Sequence, residues 1–104
     1  MDQEQLQKIA AVIAEKFNPI RIIVFGSHAR GGATDDSDLD LFVEMETNRR
    51  PPERAIEVSA VFGLRPWPLD VVVYTPSEVA RLRGVRGTLL SVIEAEGKAL
   101  YERS

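Results

Sequence analysis

Apolar and polar positions change period several times along this chain, and each change marks an element. Leu6, Ile9, Ala10, Ile13 and Phe17 recur every three or four residues, the spacing of one helical face. Asp2 is the expected N-cap, and Asn18-Pro19 ends the helix. Ile20–Phe25 is nearly continuously apolar and β-branched, as in a buried strand, and it stops at Gly26-Ser27. Residues 28–37 form a polar connection that begins with a short helical turn at Ser27; Gly31-Gly32 and Thr34–Ser37 read as loop. Asp38–Met45 then alternates: Leu39, Leu41, Val43 and Met45 take one face, and Asp38, Asp40, Phe42 and Glu44 the other. This predicts a strand with one packed face and one carrying carboxylates.

Glu46–Pro52 is polar, and its two prolines suit a helix start. A helix is expected over Glu53–Gly63 on the strength of Ile56, Ala60, Val61 and Phe62. Arg65–Pro68 is extended or turn-like, and Leu69–Tyr74 is a third strand. Pro76-Ser77-Glu78 opens another helical stretch. A last helix runs from Thr88 to Glu96, with Gly97 as its C′ glycine and Lys98–Tyr101 as a short extended tail. Strands alternating with helices predict an α/β class: a small mixed β-sheet of three or four strands flanked by α-helices on one face. The other face would be open, or covered by a partner or ligand.

The 104 residues suit one domain over 1–104. No cysteine is present, which excludes disulfides, thiolate metal sites and a cysteine nucleophile. One histidine excludes a multi-histidine metal site. Thirteen basic against sixteen acidic residues give a net charge of −3, which argues against direct binding of nucleic acid. The N-terminus is polar and acidic, unlike a signal peptide, and no apolar run is long enough to span a membrane. A cytoplasmic location is the expectation.

The chemistry is concentrated in Gly26-Ser27, ten residues, then Asp38-Leu39-Asp40. Carboxylates at i and i+2 on a strand share a face about 6–7 Å apart. They repel one another unless solvent or cations intervene. Carboxylates alone favour Mg²⁺ or Mn²⁺ over zinc, and two-metal phosphoryl-transfer sites use acids in this way. Asp70 is the one acid in the Leu69–Val73 run and could join the pair if its strand is a neighbour. Gly26 would let backbone approach a phosphate, Ser27 would add a hydroxyl, and Arg30 a bidentate fork. A calcium loop on Asp36, Asp38 and Asp40 fails because Leu41 and Thr47 stand where glycine and glutamate belong. The Arg81, Arg83, Arg86 cluster reads as a solvated face, Trp67 as packing, and His28 as a loop histidine near the phosphates.

The strings Phe25-Gly-Ser-His-Ala-Arg-Gly31 and Ser37-Asp-Leu-Asp-Leu41, with Asp70 downstream, resemble the minimal nucleotidyltransferase (MNT) domains of the DNA polymerase β-like superfamily. The likeness covers nearly the whole chain and departs at His28, where members often carry arginine. It implies a palm-like mixed sheet and ATP or another NTP as donor. It also implies two Mg²⁺ ions, with Mn²⁺ as a substitute, on Asp38, Asp40 and Asp70, which are the catalytic acids. Gly26, Ser27 and Arg30 would bind the nucleotide. It implies too a HEPN-domain toxin as partner, onto a tyrosine of which such antitoxins in some cases transfer AMP. The rival reading is a non-catalytic antitoxin that neutralises a HEPN toxin by stoichiometric occlusion. A third is transfer to a small molecule such as an aminoglycoside, for which this chain lacks the usual extra domain.

Overall fold

A computed structural model describes residues 1–34 and 37–103; Asp36, the first acid of the calcium pattern, lies outside them. The described elements follow in the order α1 (Gln3–Phe17), β1 (Arg21–Phe25), α2 (Ser27–Arg30), β2 (Leu39–Glu44), α3 (Pro51–Ala60), β3 (Leu69–Tyr74), α4 (Pro76–Leu82), α5 (Leu89–Glu96) and β4 (Lys98–Glu102). The sheet order is β3-β2-β1-β4. β1 is antiparallel to both β2 and β4, whereas β2 and β3 run parallel. The α/β class and the mixed sheet are as the sequence predicts.

Local signals set the helix ends. The Asp2 carboxylate accepts from the Gln5 amide at 2.8 Å, and the Gln5 side chain accepts from the Asp2 amide at 3.0 Å, a reciprocal cap. Asn18 closes α1 in the left-handed region at φ 48°. Thr75 and Glu78 repeat the reciprocal cap at α4, and Thr88 caps α5. The start of α3 is two residues earlier than the hydrophobic pattern suggests, because Pro51-Pro52 occupy its first turn. Its buried side is Arg54 and Val58, one helical turn apart, whereas Ile56 points outward and is 69% exposed.

Alternation along the strands divides the interior. Leu39, Leu41 and Val43 of β2 join Ile22, Val24, Val71 and Val73 beneath α1 and α3. Phe42, from the opposite side of β2, joins Ile23 and the residues Val79, Leu90 and Ile93 of α4 and α5. The second face is therefore covered by the chain itself at one end, a covering that the short apolar pattern of α4 does not reveal. Its edge is tied by charge: Arg21 Nε donates to Glu44 at 2.6 Å, and Arg21 and Arg83 both reach Glu94, at 2.9 and 3.1 Å. The Arg21 guanidinium also lies 5.3 Å from the Phe42 ring centre. Glu44 thus belongs to an ion-pair network and not to the acid cluster at the other end of β2.

The tail is the fourth strand, and it corrects the role expected of Gly97. This residue has φ −77° and ψ 165°, which is ordinary extended backbone and not a left-handed cap. Space explains the glycine: a Cβ there would collide with the Ile23 side chain and lie 2.6 Å from the Ile93 carbonyl oxygen. Gly97→Ala is expected to destabilise the domain by about 1–3 kcal/mol through overpacking, read as a lower urea midpoint with an unchanged m value.

Candidate active site

Register brings the acids together. Asp40 and Asp70 are direct partners across the parallel β2–β3 pair, so their side chains leave the same face on strands about 4.8 Å apart. Both sit near the N-terminal ends of their strands. They belong to the row that continues through Phe42 and Val72 under α4 and α5, beyond the part those helices cover. Asp38 lies one residue before β2 and is exposed, as is Asp70, whereas Asp40 is partly buried.

The opposite neighbour of β2 supplies the turn. Phe25 pairs with Asp40 across the antiparallel β1–β2 register, so Gly26 and Ser27 emerge beside the Asp40 carboxylate. Gly26 has φ 73°, a conformation that favours glycine. A side chain there would strike the Asp40 carboxylate, whose Cγ lies 3.2 Å from the Cβ position. The sequence motif is therefore a steric pairing: the glycine is small because the acid is there. The Gly26 carbonyl accepts from the Ala29 and Arg30 amides at 3.1 and 3.2 Å, which turns the chain into the single helical turn α2. Ser27 opens that turn and is only partly buried.

Charge follows this geometry. The Asp40 carboxyl is held above its ordinary value of 3.8, first by burial and then by the negative charges of Asp70 and Asp38; His28 and Arg30 act in the opposite sense. All the ionisable groups singled out by the motif thus act on one carboxylate. His28 also approaches the Ser37 carbonyl oxygen at 3.5 Å, which places it against the loop leading into Asp38.

Comparison with known proteins decides the family. The nucleotidyltransferase domain family matches residues 6–101. The chain belongs to that family. It is also 30% identical to a structure described as a putative minimal nucleotidyltransferase, covering 94% of this chain and 95% of that one with a TM-score of 0.58. A Methanocaldococcus jannaschii protein named as a putative protein adenylyltransferase is 39% identical over 49 residues, or 47% of this chain and 49% of that protein. The matched stretch thus spans about half the length of that relative. A toxin–antitoxin structure solved with AMP-PNP shares the fold at 20% identity, covering 100% of this chain and 76% of that one with a TM-score of 0.63.

Members of the nucleotidyltransferase family imply divalent ions, and the donors here suit them. Asp38, Asp40 and Asp70 offer oxygen only, and their mutual repulsion is the charge a cation offsets. Among the described residues, no three acidic or histidine side chains are drawn close enough to enclose one ion as they stand; the acids are neighbours at the strand ends. Arg54, which the sequence reading passes over, is buried on α3 and donates to Glu78 at 2.7 Å and to the Val73 carbonyl at 3.3 Å. Only its place on the buried stripe with Val58 could have signalled this.

A carboxylate whose folded value is raised costs stability above that value, and the cost disappears as pH falls through it. Near pH 7 in EDTA, Asp40→Asn in this nucleotidyltransferase domain is therefore expected to melt at or above the wild-type temperature. Millimolar Mg²⁺ should raise the wild-type Tm and leave that of Asp40→Asn unmoved. A lower Tm for the variant in EDTA would mean that the acids do not repel one another across β2 and β3.

Proposed function

We propose that the domain transfers a nucleoside monophosphate, AMP from ATP in the first instance, to a hydroxyl group of a partner polypeptide. The observation that carries this reading is the in-register juxtaposition of Asp40 and Asp70 beside the Gly26-Ser27 turn. Asp38, Asp40 and Asp70 would hold Mg²⁺ or Mn²⁺, two ions in the family pattern. When bound, such ions offset the charge that develops on the α-phosphate and the leaving pyrophosphate.

The remaining roles fall to the chain itself. The Ser27 hydroxyl and the first amides of α2, which have no acceptor within the helix, take polyphosphate oxygens. Arg30 supplies positive charge on the same side as the turn. Asp70 orients the acceptor and receives its proton at a carboxylate oxygen. The acceptor O–H bond breaks, an O–P bond forms at the α-phosphorus, and the bond to pyrophosphate breaks.

The partner is proposed to be a HEPN-domain toxin modified on a tyrosine, which makes this domain the antitoxin. Support comes from the fold shared with the toxin–antitoxin structure solved with AMP-PNP, and from the name of the Methanocaldococcus jannaschii relative. Among the described residues no helix is long and apolar enough to cross a membrane.

Incubation with Mg²⁺, ATP labelled at the α-phosphate and the protein encoded beside this one should transfer label to that protein. Asp40→Asn or Asp70→Asn should reduce the rate by at least about a hundredfold. Neutralisation of the partner that survives Asp38→Asn combined with Asp40→Asn would instead establish occlusion without catalysis.

A further inference from the structure

We propose that the outer edge of β3 is the docking site for the acceptor polypeptide, which adds to the sheet as a short extended strand and so presents its hydroxyl side chain to Asp70. This rests on the transferase reading for the purpose of the docking, but its structural basis is independent of catalysis.

Parallel strands alternate the direction of their backbone groups. The Pro68 carbonyl accepts from Leu39 and the Tyr74 carbonyl from Met45, at 2.9 and 3.0 Å. The groups of Asp70 and Val72 therefore point toward β2, and those of Leu69, Val71 and Val73 point away from it. Arg54 occupies the Val73 carbonyl. The N–H and C=O groups of Leu69 and Val71, one on either side of Asp70, have no partner among the described residues. A row of alternating donors and acceptors is met by another backbone.

The two sheet edges differ in protection. β4, the other edge, carries exposed Lys98 and Glu102 and an irregular register against β1, devices that discourage further pairing. Between Leu69 and Val73 there is no lysine, proline or bulge. Beside this stretch runs an open groove of about 390 Å³ whose wall includes Ile56, Ser59, Gly63 and Arg65. Ile56 is 69% exposed, and Leu64, between two wall residues, is fully exposed. Arg65 Nε is buried with no acceptor among the described residues.

Geometry then sets the occupant's pattern. Side chains of an added strand alternate between faces. A hydroxyl residue set opposite Asp70 shares the Asp70 face, so the residues before and after it turn toward α3 and the apolar groove. The acceptor is thus an extended segment with apolar residues flanking the hydroxyl. A second copy fits poorly: antiparallel self-pairing through Leu69 and Val71 would set the two Asp70 side chains directly opposite at about 4.5 Å, where like charges repel.

The probe is the peptide Lys-Gln-Gln-Val-Tyr-Val-Gln-Gln-Lys at millimolar concentration, with N-acetyltyrosinamide as an acceptor too small to form a strand. Two readouts are taken: amide hydrogen exchange of the domain, and transfer of label from ATP. Exchange at Leu69 and Val71 is expected to slow with the peptide and not with the amide. Leu64→Glu and Ile56→Glu, both at exposed sites beside the groove, should each raise the peptide KM about tenfold. Labelling of N-acetyltyrosinamide should not change.

Slowed exchange with neither acceptor labelled would retain the docking edge and remove the transferase reading. Peptide labelling with unchanged Leu69 and Val71 exchange would overturn the docking edge and retain the transferase reading. No slowing and no labelling overturns both. Protection that grows with domain concentration alone assigns the edge to a second copy and overturns the proposal.

Discussion

Two carboxylates held side by side by backbone hydrogen bonds are the constraint around which this domain is arranged. Asp40 and Asp70 cannot drift apart without breaking the parallel pairing of β2 and β3, yet at neutral pH their charges oppose that pairing. The ladder and the apolar residues under it must offset the repulsion. Leu39, Leu41, Val71 and Val73, on the reverse of the acidic face, are buried against α1 and α3. Each buried aliphatic side chain contributes about 1.5–3 kcal/mol, enough for a row of them to hold an unfavourable charge pair in register.

The same strand fixes the turn. β2 is paired on both sides, antiparallel to β1 and parallel to β3, so a slip of one residue would turn Asp40 into the core. Gly26 is bound to the same arrangement, since the Asp40 carboxylate fills the space of its missing side chain. Farther along that face, α4 and α5 close over Phe42, and Arg21 joins Glu44 to Glu94. The face is sealed where chemistry is absent and open where the acids stand. The sheet edge that has no lysine, proline or bulge between Leu69 and Val73, β3, begins at that open end.

Much of this was legible in the sequence because it is local. The alternation of 38–45 separates the Leu39 face from the Asp40 face, the Leu69–Tyr74 run is a strand to the residue, and the cap at Asp2 is a single-residue signal. The long-range facts were less accessible. Nothing in the pattern says that Lys98–Glu102 pairs with β1, that Gly97 is small to clear Ile23, or that Arg54 lies inside while Ile56 lies outside. Each depends on which elements become neighbours. The neighbourhood of Asp38 and Asp40 with Asp70 could be named only conditionally, because it requires β2 and β3 to be adjacent and in register. Glu44 shows the limit of counting acids on a strand face: two positions past Phe42, the same residue type serves an ion pair.

Diffraction from crystals grown with Mn²⁺ and AMP-PNP, collected for the manganese anomalous signal, tests the central claim most directly. The account predicts an anomalous peak within ligating distance of Asp40 and at least one of Asp38 and Asp70, with the polyphosphate against Gly26 and Ser27. Nucleotide bound elsewhere, or bound at this turn with no manganese on Asp40, would contradict it.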